Sequence, residues 1–280
     1  MDRISAVVVS DVKLVDPTTQ HVWLEIPELR LEAGRVYGLA GTNLSGRSAF
    51  LRLLGGGFLP PWEGRQAMRL CVELAAEPWT ATLDPCRCSV YLGPNPLDNM
   101  STLSSTSREE LDLHTPHWQA SATGSDAPWA HLIGAFNLES CLTQNPMELS
   151  GGQAAALALI CALMMARPVM CVDEVFGHLD VTVRPLAWQC LKQVVARGAV
   201  ALVSDNQYDL MAEFADEVIH LAAGRVEDVG SARKVFNTQA VLSRKTVPTA
   251  TLLAKDLWPY CESLPVSYDG ILGRLRGTDG

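Results

Sequence analysis

Gly41-Thr42-Asn43-Leu44-Ser45-Gly46-Arg47-Ser48 sets two spaced glycines ahead of a basic residue and a hydroxyl. Spacing of the form G-x-x-x-x-G-[KR]-[ST] lets backbone N–H groups and the start of a following helix cradle phosphate oxygens. The flanks agree with that chemistry. Arg35-Val36-Tyr37-Gly38-Leu39-Ala40 reads as a buried strand feeding the loop, and Arg47 to about Leu54 reads as a helix ended by Gly55-Gly56-Gly57. Taken alone, with arginine where such loops carry lysine, the stretch also fits an ordinary Gly-rich turn between strand and helix.

Three later motifs decide between these. Leu149-Ser150-Gly151-Gly152-Gln153 directly precedes a long apolar helix, and its glycines let backbone approach a phosphate closely. Val169-Met170-Cys171-Val172 is an apolar strand ending in two carboxylates, Asp173 and Glu174, and Gly177-His178-Leu179-Asp180 follows. In order and spacing the four motifs resemble those of the ATP-binding cassette (ABC) ATPases, over nearly the whole chain. That resemblance implies an α/β P-loop NTPase with a RecA-like parallel-sheet core, an ABC β-subdomain, an inserted helical subdomain and a C-terminal helical extension. It implies ATP and Mg²⁺ as cofactors. Gly41, Thr42, Asn43, Leu44, Ser45, Gly46, Arg47, Ser48 and Ala49 would hold the nucleotide. Ser48 and Asp173 would hold Mg²⁺, while Glu174 would orient and polarise the attacking water. Asp180 belongs to the D-loop. The signature, Leu149 to Gln153, would serve the neighbour: Ser150 and the Gly151-Gly152 backbone reach the γ-phosphate held by a second such subunit.

A narrower resemblance lies in Pro94-Asn95-Pro96-Leu97-Asp98-Asn99-Met100 and Thr106-Ser107-Arg108-Glu109-Glu110-Leu111. These are similar to the QNPxDQ and TVEED stretches of energy-coupling factor (ECF) ATPases, which drive vitamin and metal-ion uptake. The tail agrees, through Ala215-Asp216-Glu217-Val218-Ile219, Lys234-Val235-Phe236 and Val247-Pro248-Thr249-Ala250. Membership of that group implies a peripheral subunit on the cytoplasmic face of the cell membrane. Its partners would be a second ABC ATPase, an integral membrane coupling protein and a separate substrate-binding membrane protein. A short helix of the coupling protein would dock near Leu97 and Met100.

Several positions depart from the family pattern. Arg47 stands for lysine, and its planar guanidinium is not the same compact point charge. Leu44 replaces a glycine, and Pro94 takes the Q-loop glutamine position. Ser204 falls at the switch-histidine position of the catalytic set, and Asp16 near the adenine-stacking aromatic. Together they imply a degenerate ATP site in a subunit paired with a more active ATPase, a heterodimer in preference to a homodimer. The alternative is a stand-alone ABC protein that binds ATP with little turnover and regulates or scaffolds a partner.

The elements that must position these residues are partly legible. Residues 5–9 and 22–26 alternate like strands, and 169–203 returns to a β/α rhythm that implies a parallel sheet. Residues 217–221 and 225–229 read as a hairpin. Helical segments fill 94–151, with a capping-box start at Thr106. The implied division is a nucleotide-binding core over 1–93 and 166–225, a helical subdomain over 94–165, and a C-terminal extension over 226–280 that aids dimerisation. Residues 266–280 are expected to be loosely ordered.

With 48% hydrophobic and 19% charged residues in 280, the chain can bury a large core. A net charge of -9 argues against nucleic acid as a partner. The N-terminus lacks the basic and apolar regions of a signal peptide, and the apolar run Ala154 to Ala166 is too short to span a bilayer. Eight scattered cysteines, of which only Cys86 and Cys88 are close, offer no CxxC zinc motif. His114 and His117 fall in a Ser/Thr/Pro-rich stretch, where a metal role is one reading and a solvated loop the favoured one, so no metal site is assigned to them.

Overall fold

The computed structural model describes residues 4–16, 19–56, 66–74, 80–82, 88–115, 129–165, 167–244 and 246–277. Alternating valines and leucines make β1 (Ile4–Val15) and β2 (Val22–Glu32), which pair antiparallel from Ala6 opposite Glu32 to Val15 opposite Val22. β3 (Val36–Ala40) follows and leads into α1 (Arg47–Leu54). β4 (Gln66–Leu74) and β5 (Thr80–Thr82) then complete a four-stranded sheet in the order β2-β1-β4-β5. The sequence reading marks neither of these last two strands.

A second sheet lies at the centre. β6 (Ser89–Leu92), β7 (Val169–Asp173), β8 (Val200–Ser204), β9 (Glu217–Ala222) and β10 (Arg225–Gly230) join β3 in the order β10-β9-β3-β8-β7-β6. Its pairings are parallel except for the β9/β10 hairpin. β3, β7 and β8 are buried along their whole lengths, as strands covered on both faces must be.

The period of two divides their side chains between two cores. Tyr37, Leu39, Val169, Cys171, Val200 and Leu202 pack with Phe50, Leu51 and Leu54 of α1 and with the inner faces of β1 and β2. Val36, Met170, Val172, Ala201 and Val203 face the other way. There they meet α4 (Gly151–Met165) and α5 (Arg184–Val195), together with α2 (Ser107–Leu113) and α3 (Ala130–Ala135). α4 is buried from Ala154 to Leu163, yet among the described residues no helix is long and apolar enough to cross a membrane.

After α6 (Tyr208–Phe214) and the β9/β10 hairpin come α7 (Ala232–Phe236), α8 (Gln239–Arg244), α9 (Thr249–Leu257) and α10 (Tyr268–Leu275). The expected loose order after residue 266 does not hold up to residue 277. Ser267 caps α10 by accepting from Gly270 N, Ile271 is buried with Ala250, Ala254 and Leu264, and Arg274 lies over the Trp258 ring. His114 also differs from its reading: it ends α2 and meets Glu110 instead of belonging to a free loop. Pro17, Thr18, Gly57, Cys86, His117 and residues 278–280 lie outside the described residues.

Candidate functional site

β3 delivers the chain into a loop that two glycines shape. Gly46, at φ 100°, is the residue that starts α1 and supplies no side-chain cap, so the first N–H groups of the helix are left to a ligand. A Cβ on Gly41 would stand 2.3 Å from the Leu221 carbonyl oxygen, which excludes any larger residue. The loop is braced from outside. Gly224 N donates to the Ser45 carbonyl, and the Tyr208 hydroxyl donates to the Gly41 carbonyl at 3.0 Å.

Leu44 takes the left-handed conformation, at φ 65°, that glycine adopts at no cost. Its side chain is 92% exposed. The added bulk therefore points to solvent, and its consequence is backbone strain of about 1 kcal/mol.

The loop borders a cavity of about 340 Å³ lined by Leu14 and Trp23, by Thr42 to Ala49, and by Glu174. Asp16 is not part of that lining; its Oδ1 accepts from Thr19 N in the turn. The aromatic face comes from β2, where Trp23 is 39% exposed and meets His21 edge-on at 4.9 Å. Sequence spacing gave no hint of this, because Trp23 reaches the cavity through the pairing of β2 with β1.

β7 carries the two carboxylates to the same place. Asp173 is fully buried, with Oδ1 accepting from the Ser48 hydroxyl and Oδ2 from the Tyr91 hydroxyl, each at 3.1 Å. Burial raises the Asp173 pKa above its ordinary 3.8 despite both hydrogen bonds. Tyr91 is pushed up to about 12 by burial and then by the neighbouring Asp173 charge, so it stays a donor. Glu174 follows in a left-handed turn at φ 56°, its N–H donating to the Ser204 carbonyl.

Arg47 does not extend into open solvent. It is 5% exposed, and its Nη2 donates to Glu174 Oε1 at 3.3 Å and to Asn206 Oδ1 at 3.1 Å. Asn206 Nδ2 in turn donates to Glu174 Oε1 at 3.1 Å. Ser204, at the switch-histidine position by sequence, lies within β8 beside Asp173, with its Oγ buried and unpartnered. The side chain that reaches Glu174 is Asn206, two residues on and past the end of the strand. A strand residue cannot make that reach; the loop that follows it can.

The remaining expected residues lie around this centre. Pro94 follows β6, and its carbonyl oxygen sits 2.7 Å from His178 Nε2. Met100 is buried in the helical core and Leu97 packs against it, so neither stands free on the surface. Ser150 opens α4; its N–H and hydroxyl both donate to Gln153 Oε1 at 3.0 Å. Leu149, Ser150, Gly151, Gly152, Gln153 and Asp180 take no part in the cavity lining.

The ABC transporter family model matches residues 24–177. Among curated proteins, the chain is 27% identical over 214 residues to the thiamine import ATP-binding protein ThiQ of Yersinia pestis, an alignment covering 76% of this chain and 86% of that one. It is 29% identical over 195 residues to the Nod factor export ATP-binding protein I of Burkholderia orbicola, covering 70% and 61%. Among solved structures, one titled as the ATP-binding subunit of an ABC transporter superposes with a TM-score of 0.63 at 20% identity, covering 84% and 93% of the two chains. The cbiO1 protein of Clostridium perfringens, titled as part of the ABC transporter complex cbiONQ, gives 0.60 at 18% identity, covering 88% and 94%.

Proposed function

Because this chain belongs to the ABC transporter family, as the ATP-binding subunit of a transporter, we propose that its own site binds ATP and hydrolyses it slowly. The observation that carries this is the contact of Arg47 with Glu174 and Asn206. Adenine would rest on Trp23, and the triphosphate would lie along Thr42 to Ser48 over the start of α1. Arg47 would have to leave Glu174 to meet the phosphates.

Ser48 and Asp173 are adjacent oxygen donors and fit Mg²⁺, a hard cation that prefers carboxylate, hydroxyl and water. When bound there, Mg²⁺ would neutralise charge on the β- and γ-phosphates. Glu174 would accept the proton of the attacking water, a role weakened while a guanidinium holds one of its oxygens. Asn206 stands where a side chain could bridge Glu174 and the γ-phosphate, but an amide is neutral and cannot carry charge there. Loss of one preorganised contact to developing charge typically lowers kcat about 10² to 10³-fold.

The signature residues lie off this cavity, which supports the reading that they serve a site on a second cassette. We take that second subunit to be a different, more competent ATPase. The Pro94 to Met100 and tail resemblances favour an ECF-type importer of a vitamin or metal ion, held at the membrane by a coupling protein, with residues 226–280 aiding dimerisation. In the native complex, Ser150→Arg is expected to abolish ATP turnover and Glu174→Gln to lower it less than twofold. The opposite ranking would show that this chain's own site is the working one.

A further inference from the structure

We propose that Glu110, His114 and Cys161 form a divalent metal site of the zinc class, which ties α2 to α4 inside the helical part of the fold. None of the three borders the nucleotide cavity. Glu110 lies on α2 and His114, four residues on, caps its C-terminus, so the two meet on one side of the helix, and Cys161 comes from the buried part of α4. One ligand atom from each lies within 4.8 Å of the other two.

The observation that asks for a ligand is the state of Glu110. Its side chain is 0% exposed. Oε1 accepts from Ser101 N at 2.9 Å and lies 3.0 Å from His114 Nε2, while Oε2 is buried with no hydrogen-bond partner. A carboxylate in that position is costly to bury unless a cation or proton satisfies it.

The donor set selects the cation. A thiol and an imidazole are poor ligands for Mg²⁺ or Ca²⁺, which prefer oxygen, whereas sulfur, nitrogen and oxygen together suit Zn²⁺. Donors on a tetrahedral zinc, with bonds of about 2.0 to 2.3 Å, stand roughly 3.3 to 3.7 Å apart, so small side-chain rotations would suffice here. His114 is 23% exposed, which opens one side for a water as fourth ligand. Binding would displace the Cys161 thiol proton to solvent. The site would also fix α4, which begins at the signature; that consequence rests on the proposed role of Ser150 to Gln153, whereas the metal site does not.

The test uses the purified full chain, stripped of metal and free of nucleotide. Zn²⁺ is titrated against a chromophoric chelator, and Co²⁺ serves as a spectroscopic substitute. The expected result is one tightly held Zn²⁺ per chain, a thiolate-to-Co²⁺ charge-transfer band, and a Tm raised by about 2 °C or more on adding Zn²⁺. Cys161→Ala should abolish the band and the tight binding. His114→Ala, at the exposed rim and so compatible with folding, should weaken Zn²⁺ at least tenfold with an unchanged circular dichroism spectrum. Failure of the wild-type chain to hold Zn²⁺ stoichiometrically would overturn the proposal. So would tight binding that survives His114→Ala undiminished, because other thiols would then be the ligands.

Discussion

Arg47 Nη2 stands 3.3 Å from Glu174 Oε1, so the loop's cation occupies the carboxylate suited to activating water. Asn206 closes the triangle, accepting from Arg47 and donating to Glu174. Lysine at position 47 would place a compact charge at the end of a thinner chain, and histidine at 206 could carry charge to the γ-phosphate. Arg47→Lys combined with Asn206→His is therefore expected to raise ATP turnover by the chain alone about 10²-fold, measured as phosphate release. No gain in the double variant would mean that the block lies elsewhere.

Trp23 lines the cavity and Asp16 does not. Base stacking on an aromatic side chain is worth about 1–3 kcal/mol. Trp23→Ala should weaken ATP binding by roughly 5- to 150-fold by calorimetry, with Asp16→Ala within twofold of wild type. Equal effects of the two would remove Trp23 as the adenine platform.

What could be read from sequence was whatever lies contiguously along it. The phosphate loop, the Ser150 to Gln153 stretch and the Asp173-Glu174 pair each declare themselves within a few residues, because one turn or one strand end positions them. Trp23 and Tyr91 do not, since they reach the site through strand pairing and sheet order. The sequence points to Ser204 because a strand end is visible in it, while the reach of the following loop, which carries Asn206 to Glu174, is not. Glu110, His114 and Cys161 were hidden for a similar reason: their meeting depends on how α2 packs against α4.

Asp173 carries a pH signature. Its pKa is raised by burial, so above its ordinary 3.8 and up to its folded-state value the native protein holds a proton that the unfolded chain releases. Its contribution to stability is full below 3.8 and is lost as pH rises through the raised value. Asp173→Asn removes the buried charge, with Oδ1 still accepting from the Ser48 hydroxyl and Nδ2 donating to the Tyr91 hydroxyl oxygen, which turns to accept. It should raise Tm at pH 7 by about 2–4 °C, roughly 1 kcal/mol, with the gain vanishing toward pH 4, although Mg²⁺-dependent turnover is lost. A lower Tm at pH 7 would contradict the desolvation argument.

Leu44 stores strain in a left-handed conformation with its side chain in solvent. Leu44→Gly is expected to change stability by between zero and about +0.5 kcal/mol in urea unfolding, because the roughly 1 kcal/mol of strain relieved is largely offset by the about 0.5–1 kcal/mol of entropy that glycine adds to the unfolded state. Destabilisation would show that Leu44 makes contacts the exposed conformation does not reveal.

Weak turnover in a site that still holds ATP is the property that sets this subunit apart as proposed. The most direct measurement is the ATP affinity and the steady-state phosphate release of the purified chain, wild type beside Glu174→Gln, in the presence of Mg²⁺. Saturable ATP binding is expected in both, with turnover so low that Glu174→Gln changes it less than twofold. Robust turnover by the wild-type chain alone, abolished by Glu174→Gln, would contradict it.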